Sequence, residues 1–319
     1  MRLLSIFCCL LFSFACGSTP GTTSDAGNTS DAGNTMDAGS TTTEPLKASK
    51  VNTSATVVAA YVTVLPSGNV VIADYTTPGV FEVKPDGTVV TSNTTAFSLG
   101  GNTPGALSAN ASGGVVVRRG FKGVVSFSGA LGTAPVDFLT TAKDVNALTW
   151  GANGKFYTFT GRPNGTLEIY NAATAASAGS GTTVASIAGT IGALAVGSSG
   201  TAYVLDGGSC SITRVKSSGE TKTLINNPAA GSTKCAVGAI QEGYIGQAGG
   251  LAVDAQGRLI VSDTQNHRVL RIAIGADDST TTVNLYENSE FNPTDVAVAP
   301  NGDIFVVDSK TKAVWRLAP

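Results

Sequence analysis

The stretch Gly250-Leu-Ala-Val-Asp-Ala-Gln-Gly-Arg-Leu-Ile-Val-Ser-Asp-Thr-Gln-Asn-His-Arg-Val-Leu-Arg-Ile272 holds the clearest copy of the pattern that determines the fold. Leu251 is followed six residues later by Gly257, and an uninterrupted apolar run starts at Leu259. Glycine suits a tight turn because it has no Cβ, and a short apolar run bounded by turn residues is typical of a buried strand. The stretch therefore predicts two strands joined by a tight turn, followed by a third strand that ends near Ile272.

The same pattern occurs six times along the chain. Each copy begins with Leu or Val and reaches Gly six positions later, and the copies are residues 62–68, 107–113, 148–154, 194–200, 251–257 and 296–302. Their starts are 45, 41, 46, 57 and 45 residues apart, which is near the length of one propeller blade. Five copies continue into a weaker fourth strand, such as Thr88-Val-Val-Thr91. We therefore predict an all-β fold, a six-bladed β-propeller formed by residues 50–319.

The last copy predicts how the ring closes. It stops just after its third strand, whereas a β-like stretch, Val51-Asn-Thr-Ser-Ala-Thr-Val-Val58, precedes the first copy. We predict that residues 51–58 pair with residues 313–317, so that an N-terminal strand closes the last blade. This pairing would remove two open sheet edges.

The N-terminus is typical of export. Arg2 precedes an apolar run from Leu3 to Ala15 that is too short to span a bilayer, so residues 1–15 are predicted to be a signal peptide. The sequence Ser13-Phe-Ala-Cys16 resembles the bacterial lipobox, although Ser13 stands where Leu is usual. We predict lipidation at Cys16 and a location in the bacterial cell envelope, at the outer membrane or cell surface. The alternative is an ordinary signal peptide that leaves Cys16 as a free thiol.

Residues 16–49 are predicted to be a lipidated cysteine followed by a disordered tether. The hexapeptide Thr-Ser-Asp-Ala-Gly-Asn occurs twice in succession between Thr23 and Asn34, and no apolar side chain recurs to order the segment. Beyond it, Cys210 and Cys235 are the only cysteines, and export permits a disulfide, which we predict between them. The net charge of −2 and the lack of a basic cluster argue against nucleic acid, and we expect a monomer.

Asn266-His267-Arg268 carries a family resemblance. With this signature, the copy at residues 250–272 resembles an NHL repeat, and the last copy is similar except that Lys310-Thr311-Lys312 replaces the signature. The other copies match only in turns and strands. The resemblance implies a propeller of a kind used by protein-binding and RNA-binding modules and by some enzymes, so the fold alone does not assign a function.

Two sets of polar residues are candidates for chemistry. His267 is the only histidine, which is too few for a zinc site, so we assign it to the turn between strands. An Asp ends the second strand in four copies, where we expect it to accept N–H bonds from the next turn. The alternative is a carboxylate ring that binds Ca²⁺, as the resemblance to gluconolactonase-type propellers implies, but Thr160 and Arg119 interrupt that ring. The four residues are Asp74, Asp206, Asp263 and Asp308.

The loops after the second strands differ in every copy, whereas the glycine turns are short and alike. In a propeller these loops share one face, here called the loop face, with the connections between blades. Because recognition is usually built from varied loops on a rigid scaffold, we predict that the loop face binds a protein or a small ligand. We expect a binding module without catalytic residues or a cofactor; the alternative is a hydrolase or lyase at the channel mouth. The predicted contact residues are Arg118, Arg119, Phe121, Arg162, His267 and Arg268.

Overall fold

The computed structural model describes residues 46–51, 57–98, 102–121, 123–128, 131–140, 144–171, 181–226, 245–246 and 248–319. These residues form a six-bladed β-propeller, as predicted, in which each blade is a four-stranded antiparallel sheet. The signal peptide, Cys16, most of the predicted tether and Cys235 lie outside the described residues. Within them, no helix has the length and apolar character needed to cross a membrane.

Each blade has its first strand innermost and its fourth strand outermost. The closing strand is β1 (Lys47–Val51). Blades 1 to 3 consist of β2 (Ala59–Val64), β3 (Val70–Asp74), β4 (Gly79–Val83), β5 (Val89–Asn93), β6 (Pro104–Ala109), β7 (Val115–Arg119), β8 (Gly123–Phe127), β9 (Val136–Thr140), β10 (Val145–Trp150), β11 (Lys155–Thr160), β12 (Asn164–Asn171) and β13 (Thr182–Ala188). Blades 4 to 6 consist of β14 (Ile191–Val196), β15 (Ala202–Asp206), β16 (Ser211–Val215), β17 (Thr221–Ile225), β18 (Gly250–Val253), β19 (Leu259–Asp263), β20 (Arg268–Ile274), β21 (Thr280–Glu287), β22 (Pro293–Val298), β23 (Ile304–Asp308) and β24 (Ala313–Ala318). A 3-10 turn, Thr264–Asn266, joins β19 to β20.

The repeated glycines form the turns between first and second strands. In the first blade, the Gly68 N–H donates to Leu65 O over 2.9 Å, and the Leu65 N–H donates to Asn69 O over 2.8 Å. The six glycines have φ between 74° and 90°, a region that residues with a Cβ rarely adopt. The face that carries these turns is called the turn face below. The six glycines are Gly68, Gly113, Gly154, Gly200, Gly257 and Gly302.

The second strands form the centre of the core. All five residues of β3, β19 and β23 are buried, because neighbouring blades cover both faces of each sheet. Aromatic rings fill one of these interfaces: Phe138 meets Phe156 edge-on, with ring centroids 4.9 Å apart. Burying a side chain of this size contributes about 1.5–3 kcal/mol. The apolar runs in the sequence are therefore the second strands, whose side chains pack between neighbouring blades.

The N-terminal strand closes the sixth blade, but it lies further upstream than predicted. β1 pairs antiparallel with β24, with Lys47 opposite Ala318 and Val51 opposite Val314. The predicted closing stretch, residues 51–58, therefore contributes only Val51; residues 52–56 are outside the described part of the chain, and Val57 and Val58 are not in a strand. β1 was missed because an outermost strand needs few buried side chains, and only Val51 is buried in Lys-Ala-Ser-Lys-Val.

Candidate functional site

The aspartates that end the second strands fasten the loop face to the blades. Each is buried and accepts hydrogen bonds from backbone N–H groups; Asp308 Oδ1, for example, accepts from Lys310 N at 3.0 Å and from Asn292 N at 2.9 Å. For each Asp, one donor lies in the turn after it or elsewhere in its own blade. Another donor lies in the segment that connects the preceding blade to this one. The connecting donors are Val58, Thr190, Gly246 and Asn292, for Asp74, Asp206, Asp263 and Asp308 respectively. The expected turn role accounts for these bonds, and no three Asp, Glu, His or Cys side chains form a metal-sized cluster among the described residues.

The Asn266-His267-Arg268 signature builds a turn in blade 5. Arg268 is 3% exposed and its Nε donates to Asp263 Oδ2 over 2.9 Å, while Asn266 Nδ2 donates to the same carboxylate. His267 has a φ of 56°, and its Nδ1 lies 2.7 Å from Phe291 O. Arg268 therefore lies beneath the loop face, whereas His267 is exposed on it.

Two exposed aromatic rings lie on the loop face. Phe121 is 66% exposed in the turn between β7 and β8, and Tyr75 is 55% exposed in the turn between β3 and β4. The two turns belong to neighbouring blades, 1 and 2. Tyr75 was not among the predicted contact residues, although its position directly after Asp74, in a turn, was the available signal. An exposed ring leaves apolar surface in water, which binding to a partner would bury.

Arg118, Phe121 and Arg162 come together at the junction of blades 2 and 3. Arg118 Nη1 donates to Val145 O over 3.1 Å, and its guanidinium carbon lies 5.9 Å from the centre of the Phe121 ring. Arg162 Nε donates to Asn146 Oδ1 over 2.8 Å. Three predicted contact residues are thus joined to consecutive residues of β10 and form one cluster in this sense.

The other predicted contact residues lie apart from this cluster. Arg119 Nη2 instead pairs with Asp137 Oδ1 at 2.5 Å, on the outermost strand of blade 2. His267 and Arg268 belong to blade 5, on the opposite side of the ring.

The inner strands surround a central channel with a volume of about 230 Å³. Asp295 is the only carboxyl group among the described lining residues, and its Oδ2 accepts a hydrogen bond from Val62 N at 2.8 Å. Burial raises the pKa of this carboxyl to about 7, against the opposing effect of the backbone N–H bonds. Sequence reasoning missed Asp295. The signal was an Asp directly before the starting Val296, where the other copies have Tyr, Ala or Gly.

The geometry defines a six-bladed β-propeller with an aromatic and cationic patch on its loop face. The chain carries NHL repeats at residues 246–272 and 292–317, which form parts of blades 5 and 6. The family resemblance read from Asn266-His267-Arg268 is thereby confirmed. No relative was found among curated protein sequences.

Several solved structures share the fold. A protein of unknown function from Bacteroides thetaiotaomicron VPI-5482 has a TM-score of 0.64 and 16% identity, covering 85% of this chain and 72% of its own. A gluconolactonase from Xanthomonas campestris has a TM-score of 0.58 and 13% identity, covering 84% and 87%. Virginiamycin B lyase from Staphylococcus aureus has a TM-score of 0.55 and 14% identity, covering 86% of each chain. At these identities the likeness concerns the fold alone.

Proposed function

We propose that this chain is an exported lipoprotein, tethered to the bacterial cell envelope through Cys16, whose propeller binds a protein or ligand on its loop face. The observation that carries the proposal is the pair of exposed rings, Tyr75 and Phe121, in neighbouring turns of one face. Tyr, Phe and Arg are enriched where binding energy is concentrated in protein interfaces. The signal peptide, Cys16 and the low-complexity segment support the tether.

Two of the residues first assigned to the binding face take a supporting role in this proposal. Arg268 is buried in the turn of blade 5, and His267, which is exposed, lies across the ring from Phe121, so direct contact is assigned to Arg118, Phe121 and Arg162, with Arg119 at the edge. The aspartate bonds to backbone N–H groups make the face rigid, which lowers the entropy lost on binding.

Affinity capture from envelope extracts tests the binding role. We expect Phe121→Ala, Arg119→Ala and Arg162→Ala to weaken capture of a partner while the melting temperature stays nearly unchanged. Val90→Ala is the matched control, because Val90 is 47% exposed but lies on the outermost strand β5. If the loop-face variants still capture the partner and changes in the turn face abolish capture, the binding site is not on the loop face.

Labelling with a radioactive fatty acid tests the anchor. We expect the chain to incorporate the label and to sediment with membranes, and Cys16→Ser to do neither. Cys210→Ser is the control, since it alters a cysteine outside the export segment. Equal labelling of the Cys16→Ser chain would refute the lipid anchor.

A hydrolase or lyase is the second candidate, and Asp295 is the observation that favours it. A carboxyl group with a pKa of about 7 inside a channel is suited to moving a proton near neutral pH. Turnover of lactone or cyclic ester substrates that disappears in Asp295→Asn would support this candidate. Turnover that is unchanged by the substitution would remove Asp295 from it.

A further inference from the structure

In the part of the chain that the structure describes, two arginines of the loop face lack the carboxylate partner that five other arginines have. Among the described residues, no carboxylate oxygen lies within 4.0 Å of the Arg118 or Arg162 guanidinium. Arg118 Nε is also buried without a hydrogen-bond partner. By contrast, ion pairs with carboxylates are formed by Arg119, Arg214, Arg258, Arg268 and Arg316.

Consecutive residues of β10 accept hydrogen bonds from both guanidinium groups. Val145 O accepts from Arg118 and Asn146 Oδ1 accepts from Arg162, and a bulge in β10 lies at this point. The backbone also fixes Phe121, since Val145 N donates to Phe121 O over 2.7 Å. The Arg118 and Arg162 guanidinium groups, held there without a carboxylate partner among the described residues, suit the binding of a carboxylate, and Phe121 lies beside Arg118.

The charged residues in the turns also differ between the two faces. The six turns between second and third strands, residues 75–78, 120–122, 161–163, 207–210, 264–267 and 309–312, contain Lys and Arg but no Asp or Glu. The turns of the opposite face contain Asp86, Asp254, Asp277 and Asp303, together with Lys84, Lys216 and Arg258. The connections between blades on the loop face hold Asp144 and Glu290, and Glu290 pairs with Lys310. The attraction for a negatively charged ligand is therefore local to the turns between second and third strands.

We propose that Arg118, Arg162 and Phe121 bind an acidic peptide segment of a partner protein. An Asp or Glu carboxylate of the segment would lie between the two guanidinium groups, and an apolar side chain would cover Phe121. This inference rests on the proposed binding function. A peptide fits better than a small metabolite because these residues do not line the channel, and Phe121 stands 66% exposed on an open surface.

Binding of fluorescent poly-L-glutamate to the full chain tests the site. We expect saturable binding that weakens as added salt screens the charges. Arg118→Ala and Arg162→Ala should each lower the affinity about ten-fold, since each removes hydrogen bonds to a charged group. Arg258→Ala is the matched control, because Arg258 lies near the turn face and pairs with Asp254; its affinity should stay within about two-fold of the parent chain.

Gly105→Ala provides a variant that keeps every charge. A Cβ at Gly105 would lie 2.3 Å from Arg118 Nε, so the methyl group must displace the guanidinium. We expect a loss similar to that of Arg118→Ala. If Gly105→Ala or Arg118→Ala reduces folding, Arg162→Ala still tests the site, because Arg162 lies in a turn and not in a strand.

The outcomes separate this inference from the proposed function. Poly-L-glutamate affinity that is unchanged in Arg118→Ala, Arg162→Ala and Gly105→Ala overturns the carboxylate site. If capture from envelope extracts then still depends on Phe121, the binding function stands without it. Tighter, equally arginine-dependent binding of polygalacturonate overturns the peptide assignment and identifies an acidic glycan as the ligand.

Discussion

The backbone N–H of Val62 donates to Asp295 Oδ2 over 2.8 Å, which joins the inner strands of the first and sixth blades at the channel wall. An innermost strand has an open edge, so its N–H groups need partners other than a neighbouring strand. Asp295 supplies one such partner where the ring closes. Gly250 provides the space, since a Cβ there would lie 2.7 Å from Asp295 Cα.

Asp295 should make stability fall as the pH rises. Its folded pKa of about 7 exceeds the unfolded value near 3.8, so the folded state holds the proton more tightly. The cost of ionising it is absent below the unfolded pKa, grows between about pH 4 and 7, and is complete above pH 7. Partial contact with channel water limits this cost to the order of 2 kcal/mol. Asp295→Asn should therefore flatten the dependence of the unfolding free energy on pH, measured by urea denaturation across this window. The same slope in both proteins would contradict the assignment.

Removing the closing strand should destabilise the whole propeller. Val51 is 1% exposed and packs in the core with Phe305 and Val314, and β1 pairs with β24 over five residues. Deleting residues 1–51 should lower the melting temperature by about 10 °C, which corresponds to a few kcal/mol in a domain of this size. Deleting residues 1–45 should leave it unchanged. An equal melting temperature for both deletions would show that β1 adds no stability.

The buried pair in blade 5 should matter more than the exposed pair in blade 2. Arg268→Ala leaves the Asp263 carboxylate buried without its cationic partner, which costs about 3–5 kcal/mol. Arg119→Ala removes a solvent-exposed pair with Asp137 and should change stability by less than about 1 kcal/mol. Chemical denaturation of both variants gives the comparison. A cost for Arg268→Ala no larger than that for Arg119→Ala would remove the structural role of the signature.

Cys210 and Cys235 should be linked by a disulfide. Cys210 is buried in the turn between β15 and β16 with a φ of 55°, whereas Cys235 lies outside the described residues. A bridge would close a loop of about 25 residues and contribute about 3 kcal/mol. Peptide mapping of the non-reduced chain should recover the two cysteines in one linked fragment. Recovery of two alkylated thiols instead would refute the pairing.

Features that repeat were readable from the sequence, and features that arise between blades were not. Each turn glycine is required by a positive φ that recurs six times, so the blades could be located from glycine spacing. The strand β1 has no such requirement, because Lys47 and Lys50 face solvent at the edge of a sheet. Arg118 lies in β7 of blade 2 and Arg162 lies in the turn between β11 and β12 of blade 3, and only the structure shows that they bond to consecutive residues of β10. Asp295 was visible only as a departure from the repeat.

The pairing of β1 with β24 also sets the face of the propeller at which β1 begins. β24 runs from the loop face at Ala313 to the turn face at Ala318, and Lys47 lies opposite Ala318. The polypeptide thus enters the ring from the turn face. Lys47 therefore lies at the face opposite the one that carries Phe121, so the first residue of β1 and the proposed contact residues are at opposite ends of the blades.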